Sequence, residues 1–328
     1  MKRVNNIYSN LYDLNNIINV YNKIKCNTKN KYKLEQFEDY FCINIVNIYN
    51  ILKNNIYEVG KYNLFIIHEP KQRLILNQDL FNKIVNHLVG NELINILENS
   101  LIDNNVAVRK NKGTSYGIKL IKKYIRKLNY NYYCLKIDIK KYFYSINHDI
   151  LKDLLNKKIK DKLFLNLVYK IIDSTNKEYI FEYAKKHNIN YLKKGYCLSI
   201  GNLTSQILGI FYLNDLDHYI KEKLKIKYYI RYMDDMVLFH KDKDYLKYCL
   251  NKIIVYLRKY DLQLNNKTIF FKNSLCFLGY RFYDKKIKIL SKNKRRIYKK
   301  LRLLKYHDYN KYIKSLNSYY GYFKIQRY

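Results

Sequence analysis

The sequence has few of the residues that cross-link or interrupt a chain. Its 328 residues include one Pro, nine Gly and no Trp. The six Cys stand far apart, with no C-x-x-C pair and no His at metal-ligand spacing, so we expect neither structural zinc nor a disulfide framework. No apolar run approaches the roughly 18 residues of a membrane span, and the opening MKRVNNIYSNLYDL lacks the apolar stretch of a signal peptide. These absences predict a cytoplasmic protein without a membrane segment.

Acidic residues are also scarce relative to basic ones. The 27 Asp and Glu are outnumbered by 63 Lys and Arg, which gives a formal net charge of +36. Part of this excess reflects the dominance of Lys, Asn, Ile and Tyr that is typical of AT-rich genomes. The excess still favours a polyanionic partner. The 39 Tyr interleaved with lysines offer stacking surfaces beside cations, a pairing that single-stranded nucleic acid favours.

Apolar spacing alternates along the chain between helical and strand periods, which predicts an α+β protein. The length allows two or three domains. The predicted helices are two within residues 8–57, then 79–101, 118–127, about 145–174, 205–224, 243–260 and a basic tail from 291. The predicted strands form a basic-tipped hairpin over 63–76, a strand ending at 138, a short hairpin-like piece after 174, a hairpin over 226–239, and strands over 267–272 and 277–283.

Three carboxylates stand at the ends of predicted strands. Alternation in YNYYCLKIDI places Asp138 on a polar face where a strand ends, and two apolar strands in IKYYIRYMDDMVLF meet at Asp234 and Asp235. If these strands pair, the carboxylates converge, and two like charges about 4 Å apart repel by roughly 4 kcal/mol at an effective dielectric of about 20. Bridging cations would relieve this repulsion, and hard oxygen ligands favour Mg²⁺. The alternative is that Asp234 and Asp235 only cap a solvated turn, paired with Arg231.

Six segments resemble motifs of reverse transcriptases. RYMDDMVLF resembles their catalytic hairpin, and LKIDIKKYF resembles the strand that supplies their first catalytic Asp. IGNLTSQ, FLGYRF, EPKQRLI and VRKNKGT are similar, in the same order, to motifs of the reverse transcriptases of diversity-generating retroelements. IGNLTSQ discriminates best, because group II intron and retron enzymes usually carry Ser-Pro at Ser205-Gln206. The chain departs from the family at Ser199, where Pro is usual, and at Cys197, where Gly is commoner.

The resemblance implies a right-hand polymerase fold with fingers, a palm of antiparallel sheet backed by helices, and a helical thumb. Residues 1–60 would form an N-terminal helical extension and residues 61–132 the fingers. The palm would span residues 133–284, with an interleaved fingers segment at about 175–200, and would include FLGYRF as the primer grip. The basic helical thumb would span residues 285–328.

The resemblance also implies roles for individual residues. Asp138, Asp234 and Asp235 would hold two Mg²⁺ ions, for which Mn²⁺ could substitute, and the backbone carbonyl of Ile139 would be an extra ligand. A regular strand would point Asp235 away from Asp234, so we expect the turn to redirect it. Phe143, five residues after Asp138, matches the aromatic gate that favours dNTPs over rNTPs. Its alternative role is simple core packing.

Further residues are implied in nucleotide binding. Lys71 and Arg73 would clamp the triphosphate, an anion that suits the planar Arg fork; the alternative is a solvated hairpin tip. Gln206 would lie against the nascent base pair, in a region that in the family accompanies error-prone copying of template adenines. Lys267 resembles a lysine that protonates the leaving pyrophosphate, and a surface lysine is its alternative.

Template contact is implied for the basic loop and tail. Arg109, Lys110 and Lys112 would touch template phosphates, contacts that position a strand without reading its sequence. The expected partners are an RNA template, a primer, dNTPs and a small basic accessory protein, in the cytoplasm of a prokaryotic or phage-infected host cell.

The sequence therefore predicts an RNA-directed DNA polymerase that makes mutated cDNA in a diversity-generating retroelement. One alternative is a phage-defence or group II intron-like reverse transcriptase. Another is a non-catalytic RNA-binding protein on the same fold, although a binder gains nothing from three close carboxylates that face a polyanion. A viral RNA replicase is disfavoured, because such enzymes tend to carry Gly-Asp-Asp and lack a bulky gate.

Overall fold

A computed structural model describes residues 3–69, 71–265, 269–283 and 285–325 of the chain. These residues form fourteen α-helices and nine β-strands, besides short 3-10 and π-helical turns. The helices are α1 (Leu14–Asn27), α2 (Lys31–Glu38), α3 (Phe41–Lys53), α4 (Leu80–Leu97), α5 (Thr114–Lys127), α6 (Tyr142–Ser145), α7 (His148–Asn156), α8 (Lys162–Asp173), α9 (Glu178–Lys186), α10 (Leu203–Tyr212), α11 (Asn214–His218), α12 (Lys243–Arg258), α13 (Ser291–His307) and α14 (Tyr309–Lys324). The strands are β1 (Asn63–Ile67), β2 (Arg73–Asn77), β3 (Tyr133–Ile137), β4 (Tyr228–Tyr232), β5 (Asp235–His240), β6 (Ile269–Lys272), β7 (Ser274–Phe277), β8 (Tyr280–Tyr283) and β9 (Lys286–Ile289).

The chain divides into two compact units. Unit 1 comprises Met1–Ile102, Ile139–Asp217 and Tyr256–Gln263. Unit 2 comprises Asp103–Asp138, His218–Val255 and Leu264–Tyr328. The boundaries expected for the fingers, palm and thumb do not coincide with the boundaries of these two units. The assignment of fingers, palm and thumb stays a prediction.

The N-terminal part of unit 1 has three helices, α1 to α3, where the sequence predicted two within residues 8–57. Side-chain caps mark the starts of α1 and α2. Asp13 accepts a hydrogen bond from the backbone N–H of Asn16, and Asn30 accepts one from that of Lys33. Phe37 and Phe41 keep helical spacing across the break between α2 and α3, so the periodicity alone did not reveal that break.

The β1–β2 hairpin of unit 1 packs on helix α9. Leu74 of β2 lies in a buried cluster with Ile180 and Ala184 of α9. The prediction of a hairpin-like piece after residue 174 is therefore wrong, because helix α9 occupies this segment. The two buried positions of α9 are four residues apart, which is helical rather than strand spacing.

The helix predicted over residues 205–224 is interrupted. Helix α10 ends at Tyr212, Leu213 caps it, and α11 leads into a π-helical turn at Tyr219–Lys223. The whole segment is apolar at helical spacing, so the pattern indicated helix without showing where hydrogen bonding changes register.

Unit 2 contains two antiparallel sheets that share a core with helix α5. One sheet has the strand order β4-β5-β3-β6 and the other β7-β8-β9. Leu278 and Gly279 join β7 to β8 with φ of 50° and 85°, the two-residue turn that suits twisted strands. The shared core includes Ile118, Ile121, Ile125, Cys134, Val237, Phe239, Leu275, Phe277 and Phe282.

The basic tail is helical, as the sequence predicted, and it divides into two consecutive helices, α13 and α14. The predicted α+β class is confirmed by this mixture of helices and antiparallel sheets. Within the described ranges, no helix combines the length and apolar character that crossing a membrane requires.

Candidate active site

The antiparallel register brings Asp138 level with Asp235. Ile137 of β3 lies opposite Met236 of β5, so one further step along the register places Asp138 opposite Asp235. Directly opposite residues share a face of the sheet, with Cα atoms about 4.5–5.5 Å apart. Lys136, two residues before Asp138 and so on its face, places Nζ 3.5 Å from Oδ1 of Asp235. Both carboxylates therefore lie on one face at one end of the sheet.

Asp234 lies in the two-residue turn that joins β4 to β5. Tyr232 and Asp235 close this turn. Met233 has a φ of 57°, a left-handed conformation that costs a non-glycine residue roughly 1–2 kcal/mol. The buried Arg231 supports the turn by donating from Nη1 to the Met233 carbonyl at 2.9 Å. Asp235 needs no redirection, because as the first residue of β5 it already shares a face of the sheet with Asp138.

Asp138 is held by Asn265, a residue that no sequence motif identified. The Asn265 side-chain Nδ2 donates to Oδ2 of Asp138 at 3.0 Å, and its backbone N–H donates to the Asp138 carbonyl at 2.8 Å. The two bonds orient both the carboxylate and the peptide that follows β3. The sequence carried one signal that could have identified Asn265. It is a polar residue shortly before β6, the strand that pairs with β3.

The oxygen donors at the end of the sheet suit Mg²⁺, but their side chains are not gathered into one group. Among the residues that the structure describes, no three His, Cys, Asp or Glu side chains lie close enough to hold a metal ion. Asp138 faces Asn265 and Asp235 faces Lys136, contacts that offset the repulsion between neighbouring carboxylates. The donors fit the metal in type, and the register places two of them, Asp138 and Asp235, opposite each other.

Phe143 lies on the short helix α6 and is half-buried. Its ring meets that of Tyr142 edge-on, with centroids 5.6 Å apart. Two atoms of the Phe143 ring lie 3.3 and 3.5 Å from the position that a Cβ on Gly209 would take. The absence of a side chain at Gly209 thus leaves the space in which the ring edge sits.

Buried hydrogen bonds hold the loop that precedes α10, the helix that carries Gln206. His148 donates from Nε2 to the Cys197 carbonyl at 2.8 Å, and its Nδ1 lies 3.0 Å from Oδ1 of Asp173. Thr175 donates to the same carbonyl at 2.9 Å. Cys197 has a φ of 89°, in the region that favours Gly, and burial raises the pKa of its thiol to about 12. Gln206 lies half-buried in the first turns of α10.

The other residues predicted to bind nucleotide have distinct settings. Lys71 and Arg73 are exposed, and Arg73 begins β2. Ile139, directly after Asp138, is buried. Lys267 lies outside the described residues.

Two of the three cations predicted to touch the template are engaged within the chain. Arg109 is buried and donates from Nη1 to the Asn105 carbonyl at 2.9 Å. Lys112 forms an ion pair with Asp103 at 3.0 Å and lowers the pKa of that carboxyl. Of the three, Lys110 is the exposed one.

Comparison with known proteins identifies relatives of the site and of the fold. Residues 59–282 match the family described as reverse transcriptase (RNA-dependent DNA polymerase). Over 100 residues the chain is 35% identical to the putative COX1/OXI3 intron 2 protein of Saccharomyces cerevisiae, a stretch that covers 30% of this chain and 11% of that protein.

The fold is similar to that of two telomerase structures. Telomerase from Candida albicans, in complex with a fragment of telomeric RNA, has a TM-score of 0.51 and 14% identity over 73% of this chain and 46% of its own. Apo telomerase from Candida tropicalis, truncated from its C-terminal domain, has a TM-score of 0.50 and 16% identity over 73% of this chain and 58% of its own. At these identities the likeness concerns the fold alone, and it agrees with the predicted right-hand polymerase architecture.

Proposed function

This chain belongs to the reverse transcriptase family, and on that premise we propose that it is an RNA-directed DNA polymerase that copies an RNA template into cDNA. The observation that carries the proposal is the register that sets Asp138 level with Asp235, with Asp234 in the adjoining turn. Three acidic side chains at the end of one sheet have little use in a protein that only binds RNA, because they repel phosphates.

In this proposal Asp138, Asp234 and Asp235 hold two Mg²⁺ ions, or Mn²⁺ in their place, together with the carbonyl of Ile139. The bound ions would activate the primer 3′ hydroxyl and stabilise charge on the leaving pyrophosphate. The contribution of the chain itself is to place the ligands. Asn265 orients the carboxylate and the carbonyl of Asp138, and so presets the geometry that a cation would complete.

The proposal also gives individual residues roles in binding the incoming nucleotide. Lys71 and Arg73 bind its triphosphate, Phe143 excludes a ribose 2′ hydroxyl, and Gln206 lies against the nascent base pair. Lys267 supplies a proton to the leaving pyrophosphate. The half-buried ring of Phe143, seated against Gly209, supports the gate because its position is set by its neighbours.

Replacing Phe143 with Ala should admit ribonucleotides. Loss of the ring removes the steric clash with a 2′ hydroxyl, and we expect the ratio of rNTP to dNTP incorporation to rise at least roughly tenfold. Single-nucleotide primer extension with matched dNTP and rNTP measures this ratio. Phe143→Tyr, which keeps the ring, is the control and should retain the parental ratio. Unchanged sugar selectivity in Phe143→Ala would mean that the ring serves only packing.

We further propose that the copying is mutagenic, as in a diversity-generating retroelement. IGNLTSQ supports this type, and the buried contacts of His148 and Thr175 with the Cys197 carbonyl hold the loop that leads to it. A small basic accessory protein would then be a partner, beside the template, the primer and dNTPs.

An intron-type reverse transcriptase is the second candidate, and the identity to the yeast intron protein favours it. The two differ in fidelity. cDNA made by the purified chain from a defined RNA template is expected to carry substitutions concentrated opposite template adenines if the mutagenic proposal holds. Deep sequencing of this cDNA measures them. Errors spread evenly over the four template bases would favour the intron-type enzyme.

A further inference from the structure

A small pocket in unit 2 lies where helix α5 meets the hairpin formed by β8 and β9, and its volume is about 50 Å³. Its lining consists of Lys122, Ile125, Arg126, Tyr130, Phe282, Lys285, Lys286 and Ile287. Four of these residues are cations, and no acidic residue lines the pocket among the residues that the structure describes. The pocket therefore gathers positive charge from two segments of the chain.

The chain does not neutralise this charge within its described ranges. None of the four cations forms an ion pair with an Asp or Glu side chain there. Helix α5 itself contains five Lys and Arg and no Asp or Glu. Asp284, the chain neighbour of Lys285, lies outside the described residues, and counting it would still leave an excess of three positive charges (four minus one).

The arrangement of these cations is unfavourable without an anion. Lys122 and Arg126 stand four residues apart on α5, a spacing at which like charges face each other and destabilise a helix. Burial, together with the charge of Arg126, lowers the pKa of Lys122. The helix dipole favours Arg126 in the last turn, but its effect falls off beyond that turn and does not account for Lys122. A bound anion would offset the repulsion.

Buried neighbours fix the walls of the pocket. Ile125 and Phe282 belong to the core of unit 2, and Ile287 packs against this core. Lys285 lies in the turn between β8 and β9, with its Nζ 5.8 Å from the ring centroid of Tyr130. A cation over a ring face is attracted by the ring quadrupole, so Lys285 is held at the pocket before any ligand arrives.

The pocket lies away from the predicted metal ligand of the same sheet. Tyr130 precedes the start of β3, whereas Asp138 directly follows the end of this strand. The five steps from Tyr133 to Asp138 (138 minus 133) span roughly 16 Å at about 3.3 Å per residue. Lys285 likewise lies at the opposite end of β8 from the Leu278-Gly279 turn of the predicted primer grip. A ligand in this pocket would therefore be separate from both.

We infer that this pocket binds a single phosphate group, supplied by inorganic phosphate or by the backbone of a nucleic acid. A phosphate monoester carries about −1.5 to −2 charges at pH 7 and offers three acceptor oxygens, which suits several converging cations better than a carboxylate does. The planar guanidinium of Arg126 can donate to two phosphate oxygens at once. Phosphate binding here would hold whether or not the chain is a polymerase.

The volume of the pocket suits one phosphate group and excludes a whole nucleotide. A cavity needs about 10–15 Å³ to hold one water, so about 50 Å³ accommodates an anion of a few heavy atoms. Pockets for drug-sized ligands are larger, at roughly 300–1,000 Å³. A base and its sugar would therefore stay outside, and a nucleic acid would contribute only one phosphate of its backbone.

Limited acetylation of lysines in the full chain, read by mass spectrometry, tests the pocket residue by residue. Acetylation rates are compared in chloride, in inorganic phosphate, with a short single-stranded RNA that lacks a terminal phosphate, and with polyglutamate, all at one ionic strength. With ligand at about ten times its Kd, mass action leaves roughly one tenth of the pockets empty. Acetylation of Lys122, Lys285 and Lys286 should then slow by about five- to tenfold. The exposed Lys119 and Lys288, which do not line the pocket, should change by less than about twofold.

Two charge-matched double variants locate the binding site. Lys122→Gln with Arg126→Gln removes two cations of the pocket. Lys119→Gln with Lys127→Gln removes two exposed cations of the same helix that do not line it. Protection of the two unchanged hairpin lysines should be lost in the first variant and retained in the second. Thermal melting checks that both variants are folded.

Each outcome of this experiment bears on the pocket. Protection by inorganic phosphate assigns a free phosphate ligand, and protection by RNA alone assigns the backbone of a nucleic acid; either result supports the site. Equal protection of the comparison lysines, unchanged protection in the pocket variant, or no protection by any ligand would overturn it. Protection by polyglutamate with none by phosphate or RNA would also overturn it, and would indicate an acidic protein partner instead.

Discussion

Replacing Asp234 with Asn is expected to lower the rate of dNTP incorporation at least about a thousandfold, because the change removes one negative ligand of the proposed metal pair and about 4 kcal/mol of transition-state stabilisation with it. Asn keeps the size of the side chain and one oxygen. The turn conformation, which depends on Met233 and on the hydrogen bond from Arg231, should survive. Extension of a primed RNA template with dNTPs and Mg²⁺ measures the rate.

A matched control separates this effect from a general loss of acidic charge. Asp149→Asn makes the same chemical change at an exposed position of helix α7 and should keep parental activity. Thermal melting of both variants checks that each is folded. Parental activity in Asp234→Asn would refute the catalytic assignment of the hairpin and return Asp234 to the role of a simple turn residue.

The affinity of the chain for an RNA template should fall steeply with salt. Each phosphate that a cation neutralises releases condensed counterions, and a protein that neutralises about 6–10 phosphates in this way loses roughly 10³–10⁵ in affinity between about 50 and 200 mM salt. The net charge of +36 and the exposed basic residues of α13 provide more than enough cations to neutralise this number of phosphates. The logarithm of the binding constant, measured by fluorescence anisotropy, should decline linearly with the logarithm of salt concentration.

The position of the cations can be tested in the same titration. Arg295→Gln with Arg296→Gln removes two exposed charges from α13, and the salt slope should become shallower by roughly one for each phosphate that the variant no longer neutralises. Lys31→Gln with Lys33→Gln on α2 is the charge-matched comparison. A slope near zero for the parent chain would remove the claim of backbone binding, and equal changes in the two variants would remove the special role of α13.

Local pattern predicted most of the elements near the candidate site. The alternation that ends at Asp138 and the apolar strands around Asp234 became β3, β4 and β5. The pattern failed where apolar spacing runs through a break, as between α2 and α3, or where a short segment suits either period, as in α9. Such segments are decided by caps and by packing against residues distant in the chain, such as Leu74 on Ile180.

By itself, the sequence determined the α+β class, the acidic hairpin and the basic excess, because periodicity, turn chemistry and charge are local or additive properties. Only the tertiary structure decided that Asp138 lies opposite Asp235, that Asn265 donates a hydrogen bond to Asp138, and that cations from two separate segments line one pocket. Strand register and the meeting of loops depend on the packing of residues far apart in the chain, and no local pattern encodes them.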